Sequence, residues 1–267
     1  MLKLENVTLK KGGKAILKHV SMQVEAGQIV VVIGPNGAGK SSALKAMSGD
    51  YVPDHGQVTL NERVMTDLCH TQLAQLRAVM TQGYELSFPF SVKEVIEMGA
   101  FAFADQLSCA EHHKMMEQVI QLVDVESLLT RAFTVLSGGE QQRVQLARVL
   151  LQLLPALEKK RIEHTGTPYL LIDEPTASLD LFHQYQVMDI AKKMANQGAG
   201  VVAVLHDLSL AASFADYIYV MQKGAVVAKG TPEQVLEPTL LQSVYQMHAH
   251  LHHAPDCHPH LQISTLR

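Results

Sequence analysis

The chain has 267 residues, of which 47% are apolar and 18% charged, a balance typical of a globular protein that argues against a disordered one. Lys plus Arg number 22 and Asp plus Glu number 26, and no segment is a basic block, so the charge argues against nucleic acid as a partner. Three scattered cysteines favour a reducing compartment over a disulfide framework. The longest apolar runs have five residues, whereas a membrane span needs about 20, so we expect the chain not to cross a membrane itself.

The N-terminal part has the pattern of a small antiparallel sheet. The first twenty-five residues and the stretch YVPDHGQVTLNERV, residues 51–64, show short alternating strands with Gly-Gly and Asp-His-Gly turns. Three apolar, β-branched runs then predict buried parallel strands: IVVVIG from Ile29, YLLID from Tyr169 and VVAVLH from Val201.

Helical patterns lie between these strands. One begins near Lys40, one spans about residues 179–196 and one follows His206, so strands and helices alternate as in an α/β sheet. Residues from about 92 to 154 are mostly helical in pattern and contain no buried-strand run, which predicts a separate helical lobe. Further on, GTPEQVL predicts a helix start capped by Thr231.

The periodicity stops after about Tyr245, where a histidine-rich tail begins. In HAHLHHAPDCHPHL, residues 248–261, His248, His250 and His252 alternate as on a strand, and His253 directly follows. The spacing matches neither a haem-attachment motif nor a zinc finger. We interpret the segment as a C-terminal extension.

A glycine-rich segment directly follows the first buried strand and opens a helix. GPNGAGKSS fits the pattern G-x-x-x-x-G-K-[ST], in which glycines let successive backbone N–H groups face phosphate oxygens and the helix adds its positive N-terminal end. Lys40 supplies a cation for the β and γ phosphates, and the Ser41 hydroxyl is placed to ligate Mg²⁺. The flanking strand and helix disfavour the alternative of a simple glycine turn. The residues predicted to bind ATP are Gly34, Pro35, Asn36, Gly37, Ala38, Gly39, Lys40, Ser41 and Ser42.

Two further strand ends carry polar side chains. Asp173 and Glu174 end the second buried strand in LLIDEP, beside the phosphate loop of a parallel sheet. Asp173 suits an Mg²⁺ role, directly or through water, and Glu174 is the candidate to orient and deprotonate the attacking water. His206, at the end of the third strand, can contact a γ-phosphate or hold the water and Glu174. Without a phosphate loop, such acids more often begin a solvated loop, and a lone histidine more often belongs to the core.

The segment LSGGEQQRVQLARVL begins as a helix start. Ser137 can cap the helix and Glu140 completes a capping box. Capping does not explain Gly138 and Gly139 at the first two helical positions, where glycine weakens a helix. Bare N–H groups and a serine hydroxyl form an anion site there. Since one chain already holds ATP on its phosphate loop, we predict a head-to-tail pair in which these four residues serve the partner's ATP.

LSGGE between a phosphate loop and a DE strand resembles the ATP-binding-cassette (ABC) ATPases, over about residues 2–245. The resemblance implies an α/β fold with a RecA-like P-loop NTPase core, a small antiparallel β subdomain and a helical signature subdomain. It also implies a homodimer, with ATP and Mg²⁺ as cofactors. By position, Gln82 would contact Mg²⁺ and water, and Asp180 would lie at the dimer interface. The family often stacks adenine on an aromatic residue where this chain has Lys10 or Lys11.

We therefore predict an ABC ATPase domain at residues 1–245, with a helical subdomain inserted at about 83–158, and a histidine-rich tail at 246–267. A cassette without membrane spans implies separate permease subunits, a place on the cytoplasmic face of the bacterial inner membrane, and a periplasmic solute-binding protein as an indirect partner.

The stretch YELSFPFSVKEVIEMGAF resembles importers of iron chelates, cobalamin and haem, and the long gap at 151–168 resembles the ATPase subunits of bacterial haem importers. We expect an ATPase that energises haem uptake. The alternatives are a siderophore or cobalamin importer ATPase, a soluble ABC protein of DNA repair or translation, and a haem- or metal-binding protein that works through its tail.

Overall fold

The structure is a computed structural model that describes residues 1–81, 83, 86, 88–158, 165–174, 180–252 and 260–265, with the backbone alone at 247–252 and 260–265. Within these residues, no helix combines the length and the apolar character that a bilayer crossing requires. Two sheets and a set of helices make up the body of the protein, and a two-stranded hairpin follows at the C-terminus.

An antiparallel sheet contains the N-terminal strands, as predicted. Its order is β2-β1-β4-β5, where β1 is Leu2–Lys11, β2 is Lys14–Val24, β4 is His55–Leu60 and β5 is Arg63–Val64. The first two strands have 10 and 11 residues and are longer than the short strands that the pattern predicted. Register shifts interrupt their pairing between Leu4 and Lys10, which lets one long hairpin bend over the core.

The central sheet joins six strands in the order β10-β9-β3-β8-β7-β6. All neighbours are parallel except β10 and β9. The predicted buried strands are three of the six, and β6, β9 and β10 complete the sheet. The strands are β3 (Ile29–Ile33), β6 (Arg77–Met80), β7 (Tyr169–Asp173), β8 (Gly200–Val204), β9 (Tyr217–Gln222) and β10 (Ala225–Gly230).

Both faces of the central sheet are covered, which explains its apolar strands. Ile29, Val31 and Ile33 belong to the core cluster that contains the helical lobe. Val30 and Val32 belong to the cluster shared with the antiparallel sheet. Because successive side chains of a strand alternate between faces, a sheet between two layers needs an unbroken apolar run.

Nine described helices surround the sheets: α1 (Lys40–Ser48), α2 (His70–Leu76), α3 (Val92–Glu97), α4 (Cys109–Val123), α5 (Gly138–Ala156), α6 (Leu181–Asn196), α7 (Leu208–Phe214), α8 (Pro232–Val235) and α9 (Pro238–Tyr245). Helix α8 starts after Thr231, whose predicted capping role is confirmed by a capping box with Gln234. Short 3-10 turns link α3, α4 and α5.

The region predicted as a helical lobe contains α3, α4 and α5, which pack on one another. Helix α5 runs through Leu151 and Leu154 to Ala156. The long segment at 151–168, between the signature helix and β7, therefore begins as buried helix. The boundaries at about 83, 158 and 245 stay predictions.

The tail forms an antiparallel hairpin of β11 (Met247–His252) and β12 (His260–Thr265). The strand-like alternation of His248, His250 and His252 is thereby confirmed. The hairpin backbone lies against α9 and α7.

Candidate active site

The phosphate loop connects β3 to α1, as the sequence predicted. Gly34 has φ +149°, and a Cβ there would lie 2.1 Å from the carbonyl oxygen of Met221, so a side chain would clash with backbone. Gly39 is the N-cap of α1 and brings no side chain to the helix start. The first N–H groups of α1 are therefore open to an anion.

Lys40 is buried at the first position of α1, with 5% of its surface exposed. Its Nζ donates to the carbonyl oxygens of Gly34 at 2.9 Å and Pro35 at 3.3 Å. Burial lowers the pKa of Lys40, and the charges of Glu174 and Asp173 oppose this shift. The ammonium group is thus held inside the loop that would surround a phosphate.

Asp173 lies at the end of β7, is 5% exposed and accepts a hydrogen bond from the Ser41 hydroxyl at 3.0 Å. Burial raises its pKa, and the negative charge of Glu174 adds to the shift. The Ser41 hydrogen bond and the positive charges of Lys45 and Lys40 lower it. Burial therefore outweighs the Ser41 hydrogen bond and the two lysine charges in setting the pKa of this carboxyl group.

Glu174 and His206 meet across the ends of two neighbouring strands. The register places Asp173 opposite Val204, so the residues that follow share one sheet edge. Glu174 Oε1 lies 2.5 Å from His206 Nε2. Glu174 has φ +49°, a left-handed conformation uncommon for a residue with a side chain. Its backbone N–H donates to the carbonyl oxygen of Val204 at 3.2 Å. This turn brings the carboxylate to the histidine.

The phosphate loop and Glu174 line an open cavity of about 210 Å³. Ile16, from β2, forms part of its wall. Ile16 was not among the predicted site residues, because strand alternation places it in a sheet but does not show which loop it faces. Lys45 was not predicted either, although its charge reaches Asp173 from the same helix as Ser41.

Ser137 and Glu140 form the predicted capping box. The Ser137 backbone N–H and hydroxyl both donate to Glu140 Oε2 at 2.8 Å. Gly138 and Gly139 occupy the first two helical positions. Arg131 Nη1 donates to Glu140 Oε1 at 2.9 Å. Sequence reasoning missed Arg131. The hydrogen bonds of Ser137 contribute most to lowering the pKa of Glu140, and Arg131 adds to this shift.

The remaining predicted residues lie apart from this cluster or outside the described residues. Asp180 caps α6, accepting from the His183 backbone N–H at 2.9 Å and lying 2.7 Å from His183 Nδ1. The hydrogen bonds of His183 lower the pKa of Asp180, and the charge of Arg143 on α5 contributes. Gln82 lies outside the described residues.

The first hairpin has Lys10 and Lys11 at the place where ABC ATPases often carry an aromatic residue that stacks on adenine. The Lys10 backbone N–H donates to Asp54 Oδ2 at 2.6 Å. Lys11 Nζ and Lys45 Nζ lie 5.8 Å and 5.7 Å from the ring centre of Tyr51. An aromatic ring therefore stands beside the hairpin, supplied by the turn after α1 and held between two cations.

The glycine-rich loop between β3 and α1 holds a buried lysine, and beside it lie a serine–aspartate pair and a carboxylate–histidine pair. This combination is that of a nucleotide-hydrolysing P-loop protein. The sequence matches the ABC transporter family over residues 17–157. The chain belongs to the ABC transporter family, and it is the ATP-binding and ATP-hydrolysing subunit of a transporter. The predicted α/β cassette fold is confirmed.

Particular relatives cover almost the whole chain. The Hemin import ATP-binding protein HmuV of Pseudoalteromonas translucida (strain TAC 125) is 53% identical over 98% of this chain and 99% of its own length. The Hemin import ATP-binding protein HmuV of Hahella chejuensis (strain KCTC 2396) is 41% identical over 90% of this chain and 91% of its own length. The dimeric structure of a bacterial ABC transporter cassette is 27% identical, with a TM-score of 0.73, and covers 87% of this chain and 99% of that chain.

Proposed function

We propose that this chain energises the uptake of haem across the bacterial inner membrane through separate permease subunits. The observation that carries the proposal is the full-length similarity to relatives named for hemin import, together with the intact set of hydrolytic side chains. Of the alternatives, a ferric siderophore or cobalamin importer would use the same ATPase site and differ in the permease.

Lys40, Glu174 and His206 are the proposed catalytic residues. Glu174 accepts a proton from the attacking water, whose oxygen then bonds to the γ-phosphorus while the bond to the β-phosphate oxygen breaks. His206, 2.5 Å from Glu174 Oε1, fixes the direction of that carboxylate. The Lys40 ammonium stabilises the negative charge on the transferring phosphoryl group, because it is already desolvated and held in place.

Ser41 and Asp173 would hold Mg²⁺, and Gln82 would join them. The fit rests on donor chemistry: a hydroxyl and a carboxylate are hard oxygen ligands, and they lie 3.0 Å apart at the mouth of the loop. The raised pKa of Asp173 is further support, since a bound cation would offset the free-energy cost of burying this negative charge. Held there together with ATP, Mg²⁺ would neutralise negative charge on the phosphates.

The loop residues that remain would surround the phosphates, and all of them except Pro35 have a backbone N–H group. They are Gly34, Pro35, Asn36, Gly37, Ala38, Gly39 and Ser42. Two chains would assemble head to tail, so that Ser137, Gly138, Gly139 and Glu140 meet the partner's ATP and Asp180 lies at the interface. The two glycines at the first positions of α5 support this arrangement, because they bring no side chain to the helix start, and a similar solved cassette is dimeric.

The proposed place of work is the cytoplasmic face of the inner membrane, as a peripheral subunit docked on a polytopic permease. A periplasmic solute-binding protein would deliver haem to that permease and would have no contact with this chain. ATP closes the dimer and hydrolysis opens it, and the permease follows these movements.

The test is uptake in proteoliposomes that contain this chain, its cognate permease and the matching binding protein. We expect haem to accumulate in an ATP-dependent way and to stimulate ATP hydrolysis. Ferric siderophore and cobalamin serve as parallel substrates. Transport of either one in place of haem would contradict the haem assignment and leave the ATPase assignment intact.

Two variants sharpen this test. Lys40→Ala should abolish both ATP hydrolysis and uptake, because the phosphate loses its internal cation. Lys114→Ala, an exposed lysine on α4, is the matched control and should retain both. Haem uptake that survives Lys40→Ala would show that this chain does not supply the energy.

A further inference from the structure

The histidine-rich hairpin has no part in the proposed ATPase mechanism. Its strands pair in a defined register: Met247 with Thr265, His248 with Ser264, Ala249 with Ile263, His250 with Gln262, Leu251 with Leu261 and His252 with His260. The hairpin backbone lies against α7 and α9.

This register divides the hairpin into two chemically different faces. Successive residues of a strand belong to opposite faces, and directly paired residues share a face. The residues of one face are Met247, Ala249, Leu251, Leu261, Ile263 and Thr265, and five of these six are apolar. The residues of the other face are His248, His250, His252, His260, Gln262 and Ser264. Four histidines therefore share one face of a two-stranded ribbon.

Three of the four histidines fall at neighbouring positions. His252 is directly opposite His260, and such pairs have Cβ atoms about 4.5–5.5 Å apart. His250 is two residues from His252 along β11, about 7 Å, and diagonal to His260, about 7–8 Å. His248 lies four residues from His252, about 13 Å along the strand. The register thus defines a triangle of three histidines, with the fourth outside it.

We propose that His250, His252 and His260 form a binding site for a divalent transition-metal ion of the Zn²⁺ type. Imidazole is a preferred ligand of zinc, copper, nickel and iron. Three imidazoles with a fourth position left to water is an established zinc coordination.

The proposed site shares no residue with the predicted ATP site. Among the residues with described side chains, no group of three or more His, Cys, Asp or Glu could hold a metal ion. The hard oxygens of Ser41 and Asp173 suit Mg²⁺, whereas a nitrogen set suits a softer ion. The same imidazole chemistry can ligate haem iron, but haem accepts one or two axial ligands and not three on one side.

The test is Zn²⁺ titration of the full-length, metal-stripped protein by calorimetry, with excess Mg²⁺ and ADP present to occupy the nucleotide site. We expect one Zn²⁺ per chain. His250→Gln, His252→Gln and His260→Gln should each weaken binding by about tenfold or more. His248→Gln is the matched control on the same face and should bind as the parent does. Co²⁺ in place of Zn²⁺ should give the visible absorption of a four-coordinate ion, which the triangle variants lose.

Three outcomes would overturn the proposal: no Zn²⁺ binding, equal losses in all four variants, or binding that depends on His253, Cys257 or His258 instead. Hemin titration, followed through its Soret band, is the second arm. If hemin binds and needs the three histidines, but Zn²⁺ does not bind, the ligand of this site is haem iron and the proposed divalent ion is wrong. Unchanged ATP hydrolysis and circular dichroism in each variant would show that the loss of binding does not come from misfolding.

Discussion

Glu174→Gln separates the chemistry of the site from its architecture. Glutamine has the shape of glutamate and can keep the 2.5 Å contact with His206, as well as the left-handed backbone and its hydrogen bond to Val204. What it loses is the ability to accept a proton from water. We therefore expect the ATP hydrolysis rate to fall by about 10²–10⁴-fold, the usual contribution of a general base.

That factor corresponds to about 3–5 kcal/mol in the activation free energy. ATP binding should not weaken. The Glu174 charge is one of the groups that raise the pKa of Asp173, so its removal favours the ionised aspartate and the proposed Mg²⁺ site. The Lys40 ammonium loses one attractive carboxylate but keeps its two backbone acceptors. ATP should therefore bind and persist, which traps the closed dimer.

Three measurements check this set of expectations. Phosphate release in steady state gives the rate, a fluorescent ATP analogue gives the affinity, and light scattering after size exclusion with ATP and Mg²⁺ gives the oligomeric state. Glu126→Gln makes the same chemical change at an exposed glutamate and should leave all three unchanged. Near-normal hydrolysis by Glu174→Gln, with the control intact, would remove Glu174 from the role of base.

His206→Ala should slow single-turnover hydrolysis by about tenfold or more because Glu174 loses the partner that fixes its carboxylate; a rate equal to that of the parent would refute this. Asp173→Asn should abolish turnover yet raise the melting temperature of the nucleotide-free protein at pH 7. The pKa of Asp173 is raised in the folded state, so its ionisation costs stability as the pH rises from the unfolded towards the folded pKa. The stability gain should shrink as the pH approaches about 4, and a pH-independent difference in thermal scans would contradict it. Gly99→Ala should lower the free energy of unfolding by about 1–3 kcal/mol in urea titrations, because a Cβ there would lie 2.1 Å from the Arg148 carbonyl oxygen; an unchanged midpoint would show that the helices can move apart.

Much of the hydrolytic cluster could be predicted because strand ends encode it. An apolar run followed by a polar residue places that residue at the sheet edge, and parallel strands put their carboxyl ends on one side. Asp173 and His206 are therefore brought together with the phosphate loop by rules that act within each segment. The capping box of Ser137 could also be predicted, from the spacing of Ser137 and Glu140 at a helix start.

Other features depend on contacts that no local pattern contains. Strand β6 has four residues, two of them half-buried, so its run is too short to identify. The approach of Ile16 to the phosphate loop and of Arg131 to Glu140 requires the packed fold. The left-handed backbone of Glu174 arises where β7 ends against Val204, and the residue type gives no sign of it.

Helix α5 has a mechanical consequence. It is a single helix of 19 residues, about 28 Å long, whose first turn carries Ser137 and the two glycines and whose last turns are buried beneath the central sheet. A tilt of about 5° at the buried end moves the other end by about 2.5 Å, close to the length of a hydrogen bond. In the proposed head-to-tail dimer, a small rearrangement at the buried end of α5 would therefore make or break its contact with the nucleotide of the second chain. The end of α5 that is buried in the hydrophobic core would stay nearly fixed in such a tilt, and the end with the two glycines would move most.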